Sequence, residues 1–107
     1  MAYPVGLVGE QHYQGAIRLC CEGEIVRLWH EPTNPFDERA IAVANMMGQT
    51  LGYIPRDSFV QRVVHEDGLG CEAAVLGLRE NGKGFTEVVI EVSVCDAPIC
   101  ERDFEPR

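Results

Sequence analysis

The sequence is poor in positive charge, in metal-ligand spacing and in long apolar runs, and each shortage removes a class of function. It holds 9 Lys and Arg against 17 Asp and Glu, a formal net charge of −8. Tight, sequence-independent binding along a duplex needs many cations acting together on phosphates, so a generic phosphate clamp is excluded. No run approaches the roughly 18 apolar residues of a membrane-spanning helix, and no membrane partner is expected. The start, MAYPVGLVGEQHYQG, lacks a basic n-region and has only a short apolar patch. It does not read as a signal peptide, which points to the cytoplasm.

Cysteine is present but unpaired in pattern. Cys20, Cys21, Cys71, Cys95 and Cys100 are an odd number with no CxxC among them. Zinc sites advertise themselves by paired close spacings, so no metal is expected, and the thiols read as reduced and mostly buried. Enzyme signatures are missing too. His12, His30 and His65 are scattered, and neither GxSxG nor a P-loop GxxxxGK(S/T) occurs. The acids Glu10, Asp37, Asp57, Glu72 and Glu87 are distributed, whereas two-metal chemistry needs them clustered. Neither catalysis nor a cofactor is expected.

What is there is a chain of 107 residues, 46% hydrophobic, long enough for one core. Period-two alternation dominates. Strands are predicted at 4–9, 24–31, 39–45, 50–54, 71–79 and 85–95, the last two flanking Asn81-Gly82-Lys83-Gly84, a strong hairpin signal. Residues 15–22 predict about two helical turns ending at Gly23. A second helix follows Pro55, with Ser58 and Gln61 at capping-box spacing and an apolar stripe of Phe59, Val60, Val63 and Val64. The predicted class is mainly β, a small six-stranded antiparallel barrel with two short helices, occupying residues 1–96. Trp29 is assigned to the core, and residues 97–107 to a loosely held tail.

The stretch that carries chemistry is Glu31-Pro32-Thr33-Asn34-Pro35-Phe36-Asp37-Glu38-Arg39-Ala40-Ile41-Ala42-Val43. Two prolines keep it out of helix, and Asn34 and Asp37 are turn formers whose side chains bond nearby amides. The predicted result is a rigid loop that displays Phe36 beside Asp37. The same residues also suit a loop that only knits its own turn, with Phe36 plugging a barrel end.

This run resembles the signature of the HIRAN family, an acidic/Pro-Asn-Pro-aromatic-Asp loop leading into a strand of small apolar residues. Val8-Gly9 with His12-Tyr13-Gln14-Gly15, Leu51-Gly52-Tyr53-Ile54-Pro55-Arg56-Asp57 and Phe85-Thr86 match further family segments in order, so the resemblance covers about residues 5–95. It implies a small barrel related to OB and SH3-like folds, in a stand-alone bacterial or phage form without a motor. It also implies binding of single-stranded DNA at a 3′ end in repair, replication or restriction, with a larger helicase or nuclease as a candidate partner. On this resemblance Asp37 accepts from the terminal hydroxyl, Phe36 stacks a base, and Asn34 either bonds a base edge or braces the loop. Tyr53 and Arg56 fall where the family places a ring or imidazole and a phosphate-holding base, and Phe85 is a second stacking surface. Gln11 and His12 stand where the family's DNA-binding member has an Arg-aromatic pair, a departure that leaves no fixed charge there. Eight of the nine basic residues are Arg, the side chain suited to placed, bidentate contacts. The competing function is an acidic protein-interaction or DNA-mimic module that binds no DNA.

Overall fold

In a computed structural model that describes residues 1–106, the alternating segments pair into one curled antiparallel sheet. The strands are β1 (Ala2–Gly6), β2 (Ile25–His30), β3 (Ile41–Ala44), β4 (Thr50–Tyr53), β5 (Gly70–Glu80), β6 (Thr86–Cys95) and β7 (Cys100–Glu101). Their order is β1-β6-β5-β2-β3-β4, with β7 added in parallel beside β2. The mainly β class and the six predicted strands are present; the two-residue β7 is a seventh that no periodicity announces.

The sheet is a half-barrel whose two ends meet at one point. An isolated bridge joins Val8 to Tyr53, with both backbone bonds at 2.9 Å. Gly52 makes this approach possible, because a Cβ there would lie 3.0 Å from the Val8 carbonyl oxygen and 3.2 Å from the Leu7 Cβ.

Alternation decides which side of each strand is dry. On β2, Val26 and Leu28 are buried while Ile25 and Arg27 are exposed. On β6, Val88, Ile90 and Val92 are fully buried, and Val94, next in the same alternation, is 41% exposed at the strand end. All four residues of β3 are buried, Ala42 and Ala44 as fully as Ile41 and Val43. Trp29 departs from its predicted core position. It lies with Ile25 on the outer face of the sheet and is half-buried there. Of the cysteines only Cys20 is buried, although burial and the neighbouring Cys95 push the Cys71 thiol up to about 11.

The first helix is shorter than expected, whereas the second covers its whole apolar stripe. α1 covers only Gln14–Ile17, preceded by a 3-10 turn at Glu10–His12. α2 covers Phe59–His65 and is capped by Ser58, whose hydroxyl accepts from the Val60 amide at 3.3 Å. Gln61 does not complete the capping box. Its amide instead donates to the Ile54 and Pro55 carbonyls, tying α2 to the end of β4.

Residues 97–104 differ most from expectation. In place of a loose tail they form a strap along β2, through β7 and a bond from the Arg102 amide to the His30 carbonyl at 2.9 Å. The strap crosses β5 at Gly70, where an added Cβ would overlap the Ala97 carbonyl. Gly70→Ala is therefore expected to cost about 1–3 kcal/mol, the usual range for forcing extra volume into a packed contact. Urea unfolding checks this; an unchanged midpoint would show that the strap moves aside freely.

Candidate nucleic-acid interface

The loop between β2 and β3 is built around a buried carboxylate. Glu31 is 1% exposed, and its two oxygens take three charged or polar donors. Oε1 accepts from the Asn34 amide at 3.1 Å and from the Tyr53 hydroxyl at 2.7 Å. Oε2 accepts from Arg102 Nε at 2.8 Å, an ion pair brought in by the strap. The same guanidinium donates to Thr50 Oγ1 at 2.6 Å and to the Gly48 carbonyl at 3.4 Å. Burial, then the bond donated to Glu31, pushes the Tyr53 hydroxyl well above the ordinary tyrosine range, so it stays a proton donor.

From this base the loop is wound residue by residue. The Asn34 amide accepts from its own loop: Phe36 N donates to Asn34 Oδ1 at 2.9 Å, and Asn34 N donates to the Glu31 carbonyl at 3.0 Å. Asn34 is 8% exposed with both side-chain ends engaged. Of its two expected roles it fills the bracing one in this structure. Asp37 continues the turn, its Oδ1 accepting from the Arg39 amide at 2.9 Å. Its other oxygen faces Arg56 Nε at 3.4 Å, while the Arg56 Nη2 donates to the Phe36 carbonyl at 3.0 Å.

Phe36, Asp37 and Arg56, three residues predicted for the site, therefore converge. Phe36 is 68% exposed and does not plug a barrel end; its ring meets Phe104 of the strap edge to face at 6.3 Å. Asp37 and Arg56 line an open depression of about 360 Å³ together with Arg39, Asp57, Ser58, Gln61, Arg62 and Glu66.

The remaining predicted residues form a second group. Gln11 and His12 are exposed on the 3-10 turn, and Phe85 is half-buried at the β5–β6 hairpin. Gln14 unites the two, its amide bonding both the amide and the carbonyl of Thr86 at 2.9 and 3.0 Å. Glu10 adds a buried carboxyl that accepts from the Val88 amide; burial raises its pKa, partly offset by that bond. Ring contacts link the groups, His12 edge to face with Tyr13 at 6.4 Å and Tyr13 tilted against Tyr53 at 6.1 Å.

Sequence reasoning missed Glu31, Arg102 and Phe104. Strand alternation runs out at His30, so it assigns Glu31 no face, and nothing local marks which tail residue returns to the loop. Only the position of Glu31 at the head of the Pro-Asn-Pro run is a usable signal. Among the described residues no group of acids, histidines and cysteines is placed to hold a metal.

Comparison with known proteins identifies the family. A family model described as the HIRAN domain matches residues 2–94. Helicase-like transcription factors from Mus musculus and Oryctolagus cuniculus are 39% and 37% identical over 51 residues, 48% of this chain and 5% of each relative's length. The crystal structure of the HIRAN domain of human HLTF superposes with a TM-score of 0.64 at 22% identity, covering 89% of this chain and 76% of that one. A protein from Lactobacillus plantarum gives 0.60 at 22% identity, with 87% and 97% covered.

Removing Arg102 leaves the Glu31 carboxylate buried without its ion-pair partner. Arg102→Ala is expected to destabilise the fold by on the order of 3 kcal/mol, at the low end for a buried pair because Arg102 retains some solvent contact. Adding Glu31→Gln to that background is expected to recover part of the loss in a urea-denaturation cycle. A loss below about 1 kcal/mol for Arg102→Ala would show a pair no stronger than a surface one.

Proposed function

The chain belongs to the HIRAN domain family, and on that premise we propose that it is a non-catalytic module that binds single-stranded DNA at a free 3′-hydroxyl end. The observation that carries this reading is the convergence of Phe36, Asp37 and Arg56 on one exposed, internally braced loop. An exposed phenyl ring offers a stacking surface that any base can use. The Asp37 carboxylate has an Arg39 amide on one oxygen and Arg56 beside the other, so lone pairs remain for a donated hydroxyl. The same carboxylate repels a terminal phosphate.

The Tyr53 ring, the Gln11–His12 turn and Phe85 supply a further contact region for the strand, and Asn34 acts by holding the loop. A soluble role in the cytoplasm, in DNA repair, replication or restriction and beside a larger helicase or nuclease, suits a module with no chemistry of its own. One observation favours a second reading. The outer face of β2, β5 and β6 holds a trough of about 1070 Å³ with exposed Ile25 and Leu76 among Glu22, Glu72 and Glu91, which suits a basic, apolar protein partner.

Titration of short single strands at low salt separates the two readings. A strand ending in 3′-OH is expected to bind about tenfold or more tightly than the same strand ending in 3′-phosphate, the scale of one charge-assisted hydrogen bond. Asp37→Asn keeps an acceptor for the Arg39 amide while removing the charge, and is expected to lose this discrimination with the fold intact. Equal affinity for both ends in the native protein, or none for either, contradicts end recognition.

A further inference from the structure

The depression beside Asp37 holds more cation than the recognition of a hydroxyl uses. Three of the nine basic residues, Arg39, Arg56 and Arg62, line it. They arrive from separate places: Arg39 from the turn before β3, Arg56 from the turn before α2, and Arg62 from within α2. Arg56 is engaged with Asp37 and with the Phe36 carbonyl. Arg79 and Arg102 elsewhere are each paired with an acid. The guanidinium groups of Arg39 and Arg62 make no ion pair or hydrogen bond among the described residues, although Asp57 and Glu66 share their rim.

The frame beneath them is rigid. His65 lies three residues after Arg62 on α2, on the neighbouring turn of the same helix face. Its Nε2 bonds the carbonyl of Arg39 at 2.8 Å, and its ring meets His30 of β2 edge to face at 4.7 Å. His30 in turn bonds the Glu38 carbonyl at 2.8 Å. Two histidines thus pin α2 to the end of the loop and hold Arg39 and Arg62 over one depression. With Asp37, Asp57 and Glu66 counted against the three arginines, the local balance is neutral. Such a site does not attract phosphate from a distance; it offers fixed, planar donors to a phosphate delivered by a neighbouring contact.

We propose that Arg39 and Arg62 form a phosphate subsite for the internucleotide linkages next to the 3′ hydroxyl. The proposal rests on the end-recognition reading, which places the hydroxyl at Asp37, on the rim of the same depression. A guanidinium takes a phosphodiester bidentately, and two of them fix the direction in which the strand leaves the Phe36 ring. A chain of net charge −8 thereby sets two unpaired guanidinium groups over one depression beside Asp37.

The test is a comparison of native strands with strands whose last two linkages are uncharged methylphosphonates. Arg39→Ala and Arg62→Ala are each expected to weaken binding of the native 3′-OH strand several-fold. Each is also expected to flatten the slope of log affinity against log salt by about 0.7, the single-strand value for one lost phosphate contact. With the methylphosphonate strand neither substitution is expected to matter. Arg27→Ala, an equal loss of charge on the opposite face of the sheet, is expected to leave binding unchanged. If both variants bind as the native protein does while the 3′-OH preference persists, the subsite is wrong and end recognition stands. If Arg27→Ala weakens binding equally, or the losses persist with neutral linkages, bulk charge is responsible and the subsite is wrong. Absence of any binding by the native protein removes both readings. Both side chains are exposed and hold nothing in the fold, so thermal unfolding of the variants is expected to match the native protein.

Discussion

A carboxylate taken out of water must be satisfied by donors whose positions are fixed, and Glu31 meets this demand from three directions. Asn34 comes from its own loop, Tyr53 from the strand two hairpins on, and Arg102 from the C-terminal strap. An unpaired carboxylate there would cost several kcal/mol, so the three donors are fixed as firmly as the carboxylate is buried. Each donor also does something else. Asn34 holds the Phe36 amide, Arg102 bonds Thr50 and the Gly48 carbonyl, and Tyr53 closes the half-barrel against Val8. Loop, strap and barrel closure are thus one hydrogen-bonded unit.

This arrangement explains how a loop with two prolines and an exposed aromatic ring stands away from the core without collapsing onto it. Phe36 at the surface would ordinarily gain by burial. It stays out because Asn34 and Asp37 wind the backbone on either side of it, while Arg56 holds its carbonyl. The ring is thus presented at the surface on a backbone that is already fixed. Charge follows the same logic. The acids are spread over the surface, and the unpaired Arg39 and Arg62 are gathered in one depression beside Asp37.

The strands were legible because sheet geometry writes itself locally: alternation on β2 and β6 and the Asn-Gly turn between β5 and β6 each report on neighbours in the chain. The display of Phe36 and Asp37 was legible for a related reason, since prolines and turn formers act over two or three residues. Helix length was overread in residues 15–22: α1 stops at Ile17, Ile17 and Cys20 are buried and Leu19 is exposed, so the apolar run does not report one continuous helical face. The strap was not legible. Its pairing with β2 and its ion pair with Glu31 join residues 71 apart, and neither periodicity nor propensity carries such information. Arg39 and Arg62 were hidden for the same reason, since long-range contacts of His65 with the Arg39 carbonyl and with His30 bring α2 to the loop.

Glu31 acts beneath the loop's own turns: its carboxylate anchors Asn34, and through Asn34 it keeps the turns that carry Phe36 and Asp37 wound. Amide hydrogen exchange of Glu31→Gln against the native protein tests this, read at Asn34, Asp37 and Ala40, whose amides bond the Glu31, Asn34 and Asp37 carbonyls. Glutamine turns one carboxylate oxygen into an amide that faces the Arg102 guanidinium, two donors in conflict. The account predicts faster exchange at these three amides while the Val88, Ile90 and Val92 amides of β6 keep their protection. Native protection at all three loop amides in the variant would contradict it and leave the loop standing on its own turns.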